Sequence, residues 1–273
     1  MKKFNSMNEL LVHYCEILLS SKEVSARNSK QKEIIFENFE LTDPTNIDIN
    51  LSGRKFNKNY AVAEWLWYAS ANPSSKNIGK LAKIWKIISD DHQQVESNYG
   101  VYLKPQWNWV KNEIINDLDT RRATFVINQP YHKYKNISDY PCTQYIQFFV
   151  RENKLHIGVN MRSNDLIYGL CNDVFTFSLF QQMMLNELNQ SGLNLEIGSY
   201  FHFAGSLHIY DHHYEMAKNI CNSIDKPTET CRLNEGVNWN LVDENFPFPI
   251  TNIEKSEIYD YVQKCSGEIF KNG

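Results

Sequence analysis

Residues 61–69 are the most constraining segment of the sequence, because they are apolar on nearly every side of a helix. A helix of this kind has to be buried, so the fold must surround it with other elements. Its one charged residue is Glu64. Burial disfavours a carboxylate, so the pKa of Glu64 should rise unless a cation or several donors keep it ionised. Glu64 either faces water at the edge of the apolar surface or is a buried functional carboxylate, and the all-round apolar pattern favours the second.

Apolar spacing predicts both helices and strands elsewhere in the chain. Helices are predicted at residues 7–19, 77–89, 106–118, 173–189 and 211–224, and strands at residues 33–39, 124–128, 145–150, 155–162 and 206–210. A tight polar turn joins the strands at 145–150 and 155–162. Residues 22–32 predict a loop, and residues 44–59 predict a surface connection. No repeat or shift in composition marks a boundary, so residues 1–273 are predicted to form one α/β (α+β) domain.

Composition excludes several classes of protein. Aromatic residues make up 13% of the chain and supply a core, while the net charge of −4 argues against broad nucleic-acid binding. The apolar runs are too short or too polar to cross a membrane, and Met1-Lys2-Lys3 is not followed by the apolar run of a secretory signal. The six cysteines form no CxxC pair or zinc-type spacing, which predicts reduced thiols, no metal site and a cytoplasmic protein.

Cys142 is the cysteine with the most suggestive surroundings. It follows a proline directly before the strand at 145–150, so it is held rigidly and can be accessible. A nucleophilic cysteine needs a stabilised thiolate, usually from nearby cations. Arg162 ends the strand at 155–162, and a hairpin would bring it close. A structural cysteine is the alternative; a protease dyad with His208 is disfavoured, since the local signatures of cysteine proteases are absent.

Other polar residues also lie at the ends of predicted elements. Arginines in such places suit phosphate recognition, although solvated surface charge is the alternative. They are Arg27, Arg121, Arg122 and Arg162. Asp173 opens a helix, where an N-cap is the simplest role. His208 and Tyr210 share one strand face, where they either bind a ligand or complete the core. No glycine-rich phosphate loop is present.

Taken in order along the chain, these segments resemble the thymidylate synthase family. The matching segments are Glu64-Trp65-Leu66-Trp67, Ser97-Asn98-Tyr99-Gly100, Thr120-Arg121-Arg122, Asp139-Tyr140-Pro141-Cys142, Arg162-Ser163-Asn164-Asp165 with Gly169, and Leu207-His208-Ile209-Tyr210. They run in the family's order over roughly residues 33–220. The resemblance implies a thymidylate synthase-like fold, in which a mixed β-sheet is flanked by helices and sheet faces pack together in a homodimer.

The resemblance also implies roles for individual residues. Cys142 would add to C6 of a pyrimidine nucleoside monophosphate, Glu64 would move protons around the base, and 5,10-methylenetetrahydrofolate would be the co-substrate. The other implied roles are phosphate binding by Arg27, Arg121, Arg122 and Arg162, with Arg121 and Arg122 lent by the partner subunit; substrate binding by Ser163; sugar binding by His208 and Tyr210; and folate binding by Trp85, Asp165 and Gly169.

Within the family, the motifs look most like those of bacteriophage deoxycytidylate hydroxymethylases. Thr143, Met161 and Ser206 replace the His, Gln and Asp of the synthase pattern, and Asp173 replaces the Asn that reads uracil. Cytosine offers an amino donor at N4 and an acceptor at N3. An ionised Asp accepts from N4, and a protonated one also donates to N3. The resemblance therefore implies catalysis on dCMP, and a phage-encoded enzyme would act in the host cytoplasm.

Three hypotheses follow. The first is a folate-dependent deoxycytidylate 5-hydroxymethyltransferase. The second is a methyltransferase or hydroxymethylase of the same fold that acts on dUMP or CMP. The third is a nucleotide-binding relative without catalytic activity, against which Cys142, Glu64 and the arginines argue. Residues 246–273 do not resemble the synthase tail that closes over folate, and this favours the first hypothesis, because hydride transfer requires water to be excluded.

Overall fold

The computed structural model describes residues 1–26, 29–89, 93–135, 138–223 and 230–271, with one mixed β-sheet at its centre. The strands are β1 (Lys2–Phe4), β2 (Glu23–Ala26), β3 (Ser29–Leu41), β4 (Thr124–Val126), β5 (Thr143–Arg151), β6 (Lys154–Met161), β7 (Asn164–Asp165) and β8 (Glu196–Tyr210). Their order is β1-β3-β8-β6-β5-β4, with β2 paired to β3 and β7 paired to β8. β6 and β8 are parallel, whereas β3–β8 and β5–β6 are antiparallel. The predicted mixed sheet is confirmed.

Helices flank the sheet, as predicted. They are α1 (Met7–Ser20), α2 (Lys58–Ala69), α3 (Ile78–Leu81), α4 (Ile84–Ile88), α5 (Gly100–Asn116), α6 (Cys171–Gln190), α7 (Tyr214–Cys221), α8 (Trp239–Asn245) and α9 (Lys255–Ile269). Helix α6 packs on the face where Ile157 and Val159 of β6 are buried. On the other face Tyr145 and Phe203 are exposed beside a hollow of about 520 Å³. No helix in the described ranges is long and apolar enough to cross a membrane.

Helix α2 is the buried helix that the apolar run predicts. The Asn57 side chain caps its first turn by accepting a hydrogen bond from the Tyr60 backbone N–H. Every residue from 61 to 69 is buried, and the helix packs against α5, α6, α8 and α9. Glu64 is only 5% exposed. The interpretation of Glu64 as a water-facing residue is therefore wrong.

The β5–β6 hairpin also forms where the sequence predicts it. Glu152 and Asn153 both take the left-handed conformation, with φ of 53° and 60°, as a two-residue type I′ turn requires. Helices α1 and α6 and strand β4 lie close to their predicted positions. Each of these elements has a strong apolar period, which is the signal that local sequence carries best.

Polar or irregular segments account for the wrong predictions. Residues 22–32 include β2 and the start of β3 rather than a loop, because an edge hairpin needs no apolar alternation. Residues 44–59 are irregular but not a surface connection, since Ile47 is fully buried.

Residues 77–89 form two short helices, α3 and α4, because Ala82 is extended. Helix α5 begins before residue 106, and β8 begins before residue 206, where buried polar residues such as His202 hide its alternation.

Gly100 allows α5 to start against α2, and it provides a test of this packing. A Cβ at Gly100 would lie 1.5 Å from the Tyr68 carbonyl oxygen. We expect Gly100→Ala to destabilise the fold by about 3 kcal/mol or more, and hence to lower Tm by roughly 6–12 °C. Gly267→Ala in α9 is the control, because nothing lies within 4 Å of its added methyl group. Thermal unfolding followed by circular dichroism measures both, and a Gly100→Ala protein as stable as the control would contradict the close α2–α5 contact.

Candidate active site

Cys142 ends the loop that leads into β5, and its half-buried side chain is in the thiol form rather than in a disulfide. The Arg162 backbone N–H donates to the Cys142 carbonyl oxygen at 2.9 Å. The Arg162 guanidinium donates to the carbonyl oxygens of Tyr140 (2.8 Å) and Pro141 (3.2 Å). The hairpin therefore brings Arg162 beside Cys142, as predicted, and the guanidinium also holds the loop that carries the thiol.

A buried carboxyl group ties the same loop to the start of α5. Asp139 is 6% exposed and accepts hydrogen bonds from the Ser97 backbone N–H (2.7 Å) and hydroxyl (2.5 Å). Burial raises the pKa of Asp139, and the two Ser97 bonds act in the opposite direction. The loop is thus fixed from two sides. Spacing along the sequence gives no signal of this contact, because both residues lie in loops that are distant in the chain.

Glu64 stands at the end of a short chain of donors. The Tyr60 hydroxyl donates to Glu64 Oε1 at 2.6 Å, and the Trp85 indole N–H donates to the Tyr60 oxygen at 2.9 Å. Burial raises the pKa of Glu64 to about 8, the Tyr60 bond lowers it, and the charge of Asp173 raises it. A carboxyl group with this pKa can give or take a proton near neutral pH. Sequence analysis missed Tyr60, although its place one helical turn before Glu64 is a usable signal.

Asp173 lies in the first turn of α6 and is hydrogen-bonded to β7. The helix begins at Cys171, so the interpretation of Asp173 as the N-cap is wrong. Asn164 Nδ2 donates to Asp173 Oδ2 at 2.7 Å. Burial raises the pKa of Asp173 to about 7, while the Asn164 bond lowers it and the charge of Asp165 raises it. Asp173 can therefore carry a proton at neutral pH.

Gly169 provides the space for this bond. It lies in the π-helical turn Leu166–Leu170, a type of turn that often marks functional sites. A Cβ at Gly169 would lie 3.0 Å from Asn164 Nδ2 and 3.7 Å from Asp173 Oδ2. A side chain at this position would push Asn164 away from its partner.

Tyr99 lies in the electrostatic environment of both Cys142 and Asp173. Its ring is 4% exposed and stacks on Tyr68, with centroids 5.2 Å apart. Burial raises the pKa of Tyr99, and the charges of Asp173 and Cys142 raise it further. The three predicted catalytic residues, Cys142, Glu64 and Asp173, thus belong to one electrostatic environment. Tyr99 was not among the predicted site residues, although the Tyr-Gly pair at 99–100 is its sequence signal.

Asp165 keeps one carboxyl oxygen available for a ligand. Its Oδ2 accepts from the backbone N–H groups of Tyr168 (2.8 Å) and Gly169 (3.3 Å). Its Oδ1 is buried and has no hydrogen-bond partner among the residues that the structure describes, and His213 Nδ1 lies 3.9 Å away. Buried acceptors are normally satisfied, so this oxygen fits a ligand N–H group.

His208 and Tyr210 share one face of β8, as predicted, with ring centroids 5.0 Å apart. His208 is 4% exposed and lies opposite Asp165 in the β7–β8 pairing. Ser163 follows Arg162 in the short connection from β6 to β7. The predicted sugar-binding residues on β8 therefore lie beside β7 and the connection that carries Ser163.

Arg54 is a buried arginine that sequence analysis missed, since residues 44–59 were predicted to lie on the surface. It is 5% exposed, and its Nε donates to the Ile167 carbonyl oxygen at 3.0 Å. Its guanidinium lies over the Tyr168 ring, 4.8 Å from the centroid. Arg54 thus holds the π-helical turn that follows Asp165.

Arg121 and Arg122 lie away from Cys142 of their own chain. Both are exposed, and Arg122 pairs with Glu113 at 2.8 Å. The Arg121 carbonyl accepts from Gln147 at 2.8 Å. Gln147 is five residues along the strand from Cys142, a distance of about 16 Å. A single chain therefore does not bring these arginines to the thiol, and Arg27 lies outside the described residues.

Comparison with known proteins identifies the family. The chain matches the family model described as thymidylate synthase over residues 12–266. It belongs to the thymidylate synthase family. The family resemblance predicted from the sequence is confirmed, and the chain is a one-carbon transferase.

Relatives within the thymidylate synthase family differ in substrate. The chain is 28% identical to the deoxycytidylate 5-hydroxymethyltransferase of Enterobacteria phage T2 over 179 residues, which cover 61% of this chain and 73% of the relative. It is 30% identical to the deoxyuridylate hydroxymethyltransferase of Bacillus phage SP01 over 214 residues, 68% of this chain and 52% of that protein. The fold is similar to thermostable thymidylate synthase A from Bacillus subtilis, with a TM-score of 0.72, 18% identity, and coverage of 85% of this chain and 90% of that one.

Exposure of the thiols predicts how this family member reacts with iodoacetamide. Of the six cysteines, only Cys142 and Cys221 are partly exposed, and burial raises the pKa of Cys221. We expect the native chain to be alkylated first at Cys142, and Arg162→Ala to slow that reaction severalfold by removing a neighbouring cation. Peptide mass mapping follows each site, with Cys221 as the internal control. A wild-type Cys142 that reacts no faster than the buried cysteines would contradict the proposed accessibility.

Proposed function

We propose that this chain is a deoxycytidylate 5-hydroxymethyltransferase, which converts dCMP to 5-hydroxymethyl-dCMP with 5,10-methylenetetrahydrofolate as co-substrate. The observation that carries the proposal is the state of Asp173. Its pKa of about 7 gives it both protonation states near neutral pH, and Asn164 fixes one of its oxygens. This bond holds the carboxyl group in one orientation, which in this proposal is the orientation that presents it to the base.

This carboxyl group matches cytosine in either state. The ionised form accepts a hydrogen bond from the N4 amino group, and the protonated form also donates to N3. Uracil presents the O4 acceptor in place of the amino group. The ionised form of Asp173 would leave that acceptor unpaired, at a cost of about 1–3 kcal/mol. Asp173 therefore favours cytosine, and most strongly above its pKa.

Hydroxymethylation of dUMP is the second candidate, supported by the 30% identity to the phage SP01 relative. A protonated Asp173 can donate to O4 of uracil and accept from its N3–H group. Since Asp173 loses this proton as the pH rises through about 7, uracil binding should weaken on the alkaline side. The two candidates thus differ in their pH dependence.

Cys142 and Glu64 supply the chemistry in this proposal. The Cys142 thiolate forms a bond to C6 of the pyrimidine and breaks the C5–C6 double bond, which makes C5 nucleophilic. C5 would exchange its proton for the one-carbon unit, with tetrahydrofolate as the leaving group, and the S–C6 bond breaks when the C5–C6 double bond is restored. Glu64 moves protons: with a pKa of about 8 it accepts the proton that an attacking water gives up and returns it later. Tyr99 is buried and is influenced by the charges of both Cys142 and Asp173, so in this proposal it lines the site beside the base.

The residues that face the folate side fit such a co-substrate. Methylenetetrahydrofolate supplies the one-carbon unit when it is bound. Asp165 Oδ1 offers a buried acceptor for an N–H group of the pterin. The Gly169 backbone N–H donates to the other oxygen of the same carboxylate. Trp85 contacts Tyr60 through its N–H, so any ligand that packs on Trp85 also lies near the Glu64 donor chain.

A homodimer completes the phosphate site in this proposal. Arg162 lies beside Cys142, whereas Arg121 and Arg122 are exposed, and the Arg121 backbone contacts Gln147, about 16 Å along the strand from Cys142. The sheet face that carries Tyr145 and Phe203 is a surface of the kind that a second copy covers. Packed through this face, each chain would lend Arg121 and Arg122 to its partner, while His208 and Tyr210 bind the sugar.

The proposal is tested by mass spectrometry of the products from dCMP, dUMP and CMP, each supplied with methylenetetrahydrofolate. We expect a hydroxymethyl adduct from dCMP, at a rate at least tenfold above that from dUMP at pH 8, and no accumulation of dihydrofolate. Cys142→Ser is the control for enzyme-dependent product. A methyl product, or a faster reaction with dUMP than with dCMP at pH 8, would contradict the proposal.

Asp173→Asn tests how the base is recognised. The amide can donate to O4 and accept from N3–H, but it no longer matches cytosine. We expect kcat/KM for dCMP to fall by at least 100-fold while dUMP becomes the better substrate. In the wild type, the dissociation constant for dUMP should rise with pH through about 7. Equilibrium binding of both nucleotides measures this, and a dUMP affinity that does not change with pH would contradict the role of the Asp173 proton.

A further inference from the structure

The donor chain behind Glu64 has a fixed direction. An indole N–H can only donate a hydrogen bond, so Trp85 must donate to the Tyr60 oxygen. The Tyr60 hydroxyl hydrogen is then left to point at Glu64 Oε1, 2.6 Å away. Neither Trp85 nor Tyr60 can take a proton from Glu64 through this chain, because each already acts as a donor toward it.

We propose that Tyr60 is a positioning residue that occupies Glu64 Oε1 and so directs the exchangeable proton of Glu64 to Oε2. The proposal rests on the proposed function of Glu64 as the group that moves protons at the base. It accounts for a tyrosine hydroxyl in a mostly apolar helix, where its hydrogen bonds within the described part of the chain join only these two groups. With Oε1 held as an acceptor, proton transfer has one route, through the oxygen that Tyr60 does not bind.

The hydrogen bond from Tyr60 to Glu64 is the main interaction that stabilises the ionised form of Glu64. The titratable groups that face it are Tyr60 and Tyr68 on α2 and Asp173 on α6, and Trp85 of α4 is the other donor. Burial and the charge of Asp173 both disfavour the carboxylate, whereas the Tyr60 bond favours it. Removing the Tyr60 hydroxyl should therefore raise the pKa of Glu64 above about 8.

The test is an infrared titration of the Glu64 carboxyl group in the full chain, assigned by the band that Glu64→Gln removes. We expect a midpoint near 8 in the wild type and a midpoint higher by about one pH unit in Tyr60→Phe. Tyr14→Phe is the matched control: it removes a tyrosine–glutamate bond of similar length, 2.9 Å to Glu37, away from the site. Its midpoint should equal that of the wild type.

Turnover provides the second measurement. In Tyr60→Phe the pH profile of kcat with dCMP should move to higher pH with the titration, while KM for dCMP changes less than twofold. Trp85→Phe, which removes the donor that orients Tyr60, should move the midpoint in the same direction. A Tyr60→Phe midpoint that stays unchanged or falls overturns the proposal. The titration needs no nucleotide, so failure to hydroxymethylate dCMP would refute the proposed function and leave the assignment of Tyr60 to be decided by the titration.

Discussion

The site depends on two carboxyl groups whose pKa values are raised by the protein around them. Glu64 is carried on the fully buried helix α2 and Asp173 on the first turn of α6, and neither forms an ion pair within the described ranges. Burial alone therefore dominates their acidity, and it places their pKa values at about 8 and about 7. A protein that paired either group with a buried cation would lose a proton carrier at neutral pH. The all-round apolar character of α2 is thus a requirement of the chemistry as well as of the packing.

Backbone geometry then controls what these groups can do. The π-helical turn before α6 lets Asp165 cap its own turn through one oxygen and leaves the other oxygen open. Gly169 in that turn makes room for Asn164 to reach Asp173. The hydrogen bond from Asn164 lowers the pKa of Asp173 and also holds its carboxyl group in one orientation. In the proposed function, Gly169 would thus influence base recognition through the room it leaves for Asn164.

Local sequence predicts the parts of this arrangement that have a strong apolar period. The burial of Glu64, the β5–β6 hairpin and the approach of Arg162 to Cys142 all follow from such periods. Contacts between distant loops, such as Asp139 with Ser97, carry no period and could not be found in this way. The predictions for the polar edge strand and for the start of β8 are wrong for the same reason. The environment of these residues is set by neighbours that are remote in the chain.

The proposed homodimer contact would account both for the exposed Arg121 and Arg122 and for the uncovered apolar face of the sheet. A face with Tyr145 and Phe203 exposed beside a hollow of about 520 Å³ leaves apolar surface in water. Arg121 and Arg122 are exposed, and the Arg121 backbone lies beside Gln147, five residues along the chain from Cys142. In the proposed homodimer, covering the face delivers the missing positive charge. Phosphate affinity would then depend on assembly, whereas the acidity of Glu64 and Asp173, which arises within one chain, would not.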